Sequence, residues 1–507
     1  MIFITYREES IMKKTMLFLL AALLLTSCSS ADTTETTKTA SSETTASVTE
    51  AETEPLFESD DLPDTLDFGG ETMGVYVGNY NDAYYADLYS AEETGNRFSD
   101  SIYHMLKGVE ERLNIKLEYI DDQFTYSEIS AHTKRVTSAI MAGDDTFDLI
   151  IGATNFSAVI NDGEYFMNLA DLPYVDLEKP WYNQSVIENM PSDYIFSTLG
   201  SFSIANVKNA FGIFFNQSLL NTMDIDVDLY QMVDDGKWTL DALTALVKDT
   251  YIDLDGDMQK SAQDQYGMTF GDSNKFLGLL PAFDIKMFEK TDDGYAFTYN
   301  SERAASAVTH MCDWVHATND VASVKGNNDN EAEGWMISSG GGNYVSKIFM
   351  EGRALFSASL IADAQSIVAG IDFEYGLLPY PKWDETQQNY QTTLQRAAHA
   401  LIPTTANAES ASALFEALSS ATYRTLIPEY FEVTLKTRYA QDNDTSRMYD
   451  LIANSIYYEP GEIFGTQMGS PSALFKEAIN KNTPNWASIM KANEKKLMNQ
   501  IAEIAGQ

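Results

Sequence analysis

The sequence predicts an α/β protein built on an open, mostly parallel sheet, and three observations carry that prediction. Apolar residues alternate with period two in short runs, at 73–77 and 114–120, as a half-buried strand requires. Around those runs they recur at helical spacing, at Ile102, Met105, Leu106, Val109 and Leu113, and again at Ile129, Val136 and Ile140. The order strand, helix, strand, helix, closed by the short apolar run 147–151, requires parallel right-handed crossovers, because a right-twisted strand receives a helix back onto its sheet only that way.

Each element has its own signal. Ser99 or Asp100 supplies an N-cap for the first helix, and Thr239, with Asp241 in the first turn, caps a later one through Leu243, Leu246 and Val247. Strand character returns at 211–215, 354–357 and 375–378. In open α/β sheets ligands gather beyond the carboxyl ends of strands. That rule points to Gly78, Asn79 and Tyr80 after the first strand, and to Gly152, Asn155 and Phe156 after the third.

Length and charge narrow the functions. A chain of 507 residues, 44% hydrophobic and 12% aromatic, is long enough for two or three domains with full cores. Its 75 acidic against 33 basic residues leave a formal charge of -42, which repels phosphate backbones and anionic headgroups and excludes nucleic acid as a partner. Five scattered histidines and two cysteines offer no zinc ligand cluster; Cys312, in an apolar-periodic stretch, reads as a small buried hydrophobe. Neither a Gly-x-Ser-x-Gly elbow nor a His-Glu-x-x-His pair occurs. Carboxylate pairs at glycosidase spacing arise by chance among so many acids, so the expectation is a protein that is not an enzyme.

The first thirty residues read as an export signal. Lys13 and Lys14 precede an apolar run at 16–25, too short to span a bilayer. Thr26 and Ser27 before Cys28 resemble the lipobox of bacterial lipoproteins. That resemblance implies a signal peptide at 1–27, cleavage before Cys28, and a membrane anchor of fatty-acyl (palmitate-type) chains on that cysteine; two acyl chains anchor stably. Arg7, Glu8 and Glu9 look like an upstream extension, which leaves Met1 and Met12 as alternative starts. Residues 28–66 are acidic and rich in Thr and Ser; they read as a disordered tether spanning roughly 30–40 Å as a coil.

Several segments, in order, resemble family 1 extracellular solute-binding proteins, the maltodextrin-binding type of ABC-transporter receptor. They are Gly143-Asp-Asp-Thr-Phe-Asp-Leu-Ile150, Leu169-Ala-Asp-Leu172, Asp176-Leu-Glu-Lys-Pro-Trp181, Phe214-Phe-Asn-Gln-Ser-Leu219, Lys237-Trp-Thr-Leu-Asp241, Glu351-Gly-Arg-Ala-Leu-Phe356 and Tyr375-Gly-Leu-Leu-Pro-Tyr-Pro-Lys382. The resemblance runs from about residue 68 to 430. It implies a two-lobed periplasmic-binding-protein-like (type II) fold with crossing hinge strands: lobe one at 68–212 plus 356–403, lobe two at 213–355 plus 404–507. It further implies a monomer that closes on a sugar or oligosaccharide, with peptide open as an alternative, and delivers it to an ABC permease. Two rival readings stand beside it, a surface glycan-binding or sensing protein without transport, and a secreted glycoside-active enzyme.

Carried over by position, the ligand-binding candidates are Asn79, Asn155, Phe156, Asn209, Ser357, Ser359 and Arg396 from the first lobe and crossings, and Trp335 from the second lobe beside Gly340–Gly342. Amides, hydroxyls and a guanidinium suit sugar hydroxyls, and an aromatic face suits their C–H surface. Separately, Asp253, Asp255, Asp257, Gln259 and Asp264 fall at positions 1, 3, 5, 7 and 12 of an EF-hand-like loop. Two readings are open there: a structural calcium site, or an acidic solvated turn. Met258 stands where such a loop usually has glycine.

Overall fold

The computed structural model describes residues 57–153, 163–190, 194–323, 335–340, 343–436 and 442–506. Signal, lipidation and most of the tether, Cys28 included, lie outside them. The first sheet holds β1 (Glu71–Tyr80), β2 (Ile115–Phe124) and β3 (Leu149–Ala153), with β1 central and parallel to both. The second holds β4 (Phe211–Asn216), β5 (Tyr266–Phe270), β6 (Val321–Ser323), β7 (Ala354–Leu360) and β8 (Tyr375–Leu378), in the order β8-β4-β7-β5-β6. The chain then returns to the first sheet as β9 (Ala398–Leu401), antiparallel to β3. The central strands are buried along nearly their whole length, so β1 is covered on both faces and not half-buried as the alternation at 73–77 suggested.

Helix Arg97–Leu113 buries Ile102, Leu106, Val109 and Leu113, the stripe read from the sequence. Its cap is Asn96, whose side chain accepts from the N–H groups of Phe98 and Ser99; Ser99 and Asp100 fall inside the first turn. Thr239 does cap Leu240–Val247, accepting from Ala242 N. Cys312 is buried, and burial pushes its thiol up to about 11.

Two boundaries move. β7 and β8 are hydrogen-bonded in the second sheet, although a boundary at 356 assigns most of β7 and all of β8 to lobe one. Helix Ala408–Arg424 belongs with the first sheet's helices, not with lobe two: its Glu416 accepts from Tyr182 Oη at 2.6 Å. The end of the expected tether is also part of the folded body. Asp60 accepts from Arg112 at 2.6 and 2.8 Å, from Ser420 at 2.7 Å and from Arg424 at 3.2 Å, and Lys179 pairs with Glu58 and Asp61. Composition marks this stretch as disordered; complementary basic groups on helices 97–113 and 408–424 hold it down.

Burial, opposed by the hydrogen bond from Tyr182, pushes Glu416 up to about 7 from an ordinary 4.5. A carboxyl raised in the folded state contributes stability that is fully present below pH 4.5 and lost as pH rises through about 7. His399 has the opposite sign: burial holds it down at about 4, so its contribution is lost as pH falls from 6.5 through 4. Glu416→Gln is expected to flatten the decline in melting temperature between pH 5 and 8, seen by calorimetry at half-unit steps, and an unchanged slope would refute the assignment.

Candidate functional site

The chain passes from the first sheet to the second ahead of β4, back ahead of β9, and out again between helix 408–424 and helix 443–454, which packs on β8. The first two passes are laced to each other and to the segment 455–457. Phe211 N donates to Thr393 O at 3.3 Å, Gln395 N to Asn209 O at 3.1 Å, Thr392 N to Ser455 O at 2.9 Å and Tyr457 N to Thr392 O at 2.8 Å. These backbone bonds form the hinge expected from the crossing strands. They also put the carboxyl ends of β7 and β5 beside the crossings, because β7 runs antiparallel to β4, which starts there.

Ser357 and Ser359 occupy alternate positions of β7, opposite Phe214 and Gly212, and therefore share a face. Both are buried, and neither hydroxyl has a hydrogen-bond partner among the described residues. Just past β5, Lys275 is fully buried. Its ammonium donates to Gln395 Oε1 at 3.3 Å and lies 3.8 Å from Asp272 and 3.7 Å from Asp363. The two carboxylates are fixed in turn by N–H donors, Asn274 at 2.7 Å and Leu360 at 2.9 Å.

On the first-sheet side, Gly78 and Gly152 lie side by side at the ends of β1 and β3. A Cβ on Gly152 would fall 2.7 Å from Gly78 O, so no larger residue fits without moving the strands. Asn79 follows, but it is fully buried and its groups are taken. Its Nδ2 donates to Asp121 at 2.8 Å and Asp82 at 3.2 Å, and its Oδ1 accepts from Tyr84 N at 3.0 Å. Asn79 therefore shapes the loop after β1. Its neighbour Tyr80 is half-buried, and the guanidinium of Arg396 sits 5.5 Å over its ring. Asn209 is buried and donates to Arg396 O at 3.0 Å, so it positions Arg396. Asn155 and Phe156 lie outside the described residues.

A continuous set of contacts thus runs from one sheet to the other: Lys275 to Gln395, Gln395 to Asn209, Asn209 to Arg396, and Arg396 to Tyr80. Of these, the sequence reading named Tyr80, Asn209 and Arg396. Lys275 and Asp272 follow the carboxyl end of β5 directly, so the strand-end rule would have found them had it been applied to β5. Trp335 does not join the set. Its ring is tilted against Tyr266 at 6.2 Å, and Tyr266 opens β5, opposite Ala354 and four residues before Phe270. That end of the strand carries the acidic loop, where Tyr266 Oη donates to Ser261 O at 2.9 Å.

The loop takes the turn that its sequence left in doubt. Met258 adopts φ 59° and Gly256 φ 78°, and Asp253 accepts from Gly256 N at 2.7 Å and Met258 N at 2.8 Å. Asp253, Asp255 and Asp257 bring carboxylate oxygens within 4.8 Å of one another. Asp264 is buried at the base of the loop, accepting from Leu254 N, Ser261 N and Tyr251 Oη. Gln259 touches the loop through its backbone, donating to Asp257 at 2.7 Å. Of the five expected ligands, Asp253, Asp255 and Asp257 bring side-chain carboxylates together.

Two α/β sheets joined by interlaced crossings give the two-lobed fold of the periplasmic binding proteins. No family model and no curated protein matches the sequence, whereas solved structures match its fold. The chain is similar to the maltose-binding periplasmic protein MalE of Listeria monocytogenes in complex with maltose (TM-score 0.54, 13% identity, 85% of this chain and 98% of that one). It is similar to the GacH receptor of Streptomyces glaucescens, solved unliganded and with acarbose (0.54, 14%, 85% and 99%). A third is the cyclic α-maltosyl-1,6-maltose binding protein of Arthrobacter globiformis (0.54, 14%, 86% and 100%).

Proposed function

We propose that this protein is an exported receptor that binds a small polar solute, first of all a sugar or oligosaccharide, where its chain crosses between the two sheets. The observation that supports it is the contact set from Lys275 to Tyr80, which places amide, guanidinium and aromatic groups from both sides of the hinge in one place. Such a mixture recognises hydroxyls and C–H faces together. Solute touching both sides favours the closed state by its differential affinity for that state, and an ABC permease then reads the closed shape. The similar solved proteins are named as binders of maltose, acarbose and a cyclic maltosaccharide, which puts glucosides first in the panel. The lipobox-like run before Cys28 supports anchoring of the receptor to the outer membrane face by lipid, close to its permease.

The test is a melting screen of the purified chain against oligosaccharides, peptides and amino acids. A ligand present at about 100 times its Kd should stabilise the fold by roughly 2.7 kcal/mol. A sugar that shifts melting and is recovered intact supports a receptor; a sugar recovered cleaved would make the protein an enzyme, and a panel without any shift would defeat the sugar reading.

The three carboxylates at Asp253, Asp255 and Asp257 support a second element of the proposal, a structural calcium ion that steadies the loop before β5. Three carboxylates without the bidentate twelfth ligand fit affinity of about 10⁻⁴–10⁻³ M, the range of extracellular modules. Millimolar calcium is expected to raise the melting temperature of the wild type and not of Asp255→Ala. A calcium effect that survives Asp255→Ala would remove the site.

A further inference from the structure

A pocket of about 340 Å³, within the range of volumes that hold a bound small molecule, has Leu394 on its wall. Leu394 pairs with Ala210 in a short ladder where Phe211 N donates to Thr393 O and Gln395 N to Asn209 O. Successive side chains of such a ladder point to opposite faces. Leu394 therefore faces away from Gln395, the residue that Lys275 holds, and the pocket lies on the reverse face of the crossing from the contact set that ends on Tyr80. Its walls come from both sides of the hinge. Tyr423 stands on helix 408–424 with its ring against Trp181 at 6.0 Å. Asn454 ends helix 443–454, which packs on β8. Ser185, another wall residue, accepts from Tyr458 N at 2.8 Å.

None of the residues lining this pocket is charged, although 21% of the chain is. A carboxylate, phosphate or ammonium entering it would give up hydration without gaining an ionic partner. What the lining offers instead is of two kinds. Tyr423, Ile427 and Phe431 supply ring and alkyl surface, the first two of them half-buried. Gln184, Ser201 and Asn454 supply neutral hydrogen-bonding groups. Gln184 Nε2 is spent on the carbonyls of Leu177, Lys179 and Tyr182 at 3.0, 3.4 and 3.2 Å, which fixes the amide and leaves Oε1 as an acceptor. Ser201 is half-buried and Asn454 exposed, and a hydroxyl and an amide both donate and accept. Water fills such a pocket but leaves the ring and alkyl surface wet. A molecule with C–H faces and hydroxyls covers that surface and replaces the hydrogen bonds of the water it displaces. We propose that this pocket is a second binding site, for a neutral polyol of one or two sugar rings, filled independently of the solute site on the opposite face.

The experiment follows binding of glucose, maltose and free leucine to the full chain by saturation-transfer NMR. Wild type is compared with Arg396→Ala, which weakens the solute site, and with Ala453→Trp, alone and together. Ala453 is a half-buried wall residue, and an indole there fills the pocket without reaching the reverse face. The sugars, and not leucine, are expected to keep a saturable signal in Arg396→Ala. Adding Ser201→Ala should weaken that signal several-fold, and adding Ala453→Trp should abolish it. Should Ala453→Trp fail to fold, Ser201→Ala carries the test alone. Loss of all sugar binding in Arg396→Ala would overturn the pocket and leave the solute site standing, and binding that Ser201→Ala and Ala453→Trp both leave unchanged would do the same. Loss of all sugar binding in Ala453→Trp alone would keep the pocket and defeat the solute site at the crossings. A leucine signal that Ala453→Trp removes would overturn the assignment to a neutral polyol.

Discussion

Lys275→Ala is expected to destabilise the protein by about 3–5 kcal/mol, the cost of stripping the partner from a buried charge pair. Lys275 is fully buried, and Asp272 and Asp363, its neighbours at 3.8 and 3.7 Å, are 2% and 1% exposed. Removing the ammonium leaves both buried carboxylates without this counter-charge in a low-dielectric site. It also removes the bond to Gln395, the first link between the second sheet and the crossing that carries Arg396. Urea denaturation should report the loss as a lower midpoint at unchanged slope. A change below about 1 kcal/mol, the level of an exposed pair, would mean that the cluster is solvated. Lys275→Met keeps the stem and loses the charge, so it should fall nearly as far and separate charge from packing.

Arg396→Ala is expected to act on binding and not on folding. The guanidinium is half-buried, stacked on Tyr80, and its backbone carbonyl is held by Asn209. A planar donor fork fixed on an aromatic face suits vicinal hydroxyls or a carboxylate. Hydrogen bonds to a charged group are worth about 1.5–3 kcal/mol, and 1.4 kcal/mol is about tenfold in Kd. Solute affinity should therefore fall by roughly ten- to a hundredfold, while stability stays within about 1 kcal/mol. Arg396→Lys, which keeps charge but not the fork, should recover only part of the affinity. Calorimetric titration separates the cases, and equal affinity in wild type and Arg396→Ala would place the solute elsewhere.

Most elements were legible because strand and helix periodicities are local. The first three strands, both intervening helices and the run 375–378 occur where alternation and the 3.6-residue stripe put them. What failed was non-local. A boundary at 356 cut β7 within itself, because a run of residues says that a strand exists and not which sheet it joins. The disorder read for 57–66 was overridden by Arg112 and Arg424, remote in sequence, which pair with Asp60.

The site was legible in half. Asn209, Ser357, Ser359 and Arg396 lie around the crossings, and their part in binding solute is the proposal made above. Asn79 holds the position expected of it but spends its amide on Asp121 and Asp82; nothing in a sequence tells a buried amide from an exposed one. Trp335 is turned onto Tyr266, and Lys275 escaped notice because a lysine after a strand usually means a solvated turn. The acidic loop erred in the other direction: Met258 takes the left-handed conformation that favours glycine, so the turn forms despite the substitution.

Small-angle X-ray scattering of the purified chain, with and without a saturating oligosaccharide identified by the melting screen, tests most directly whether this protein closes on its solute at the crossings. The account predicts a smaller radius of gyration with the sugar, a change that Arg396→Ala shifts to at least tenfold higher sugar concentration. Binding without any contraction, in wild type and variant alike, would contradict it.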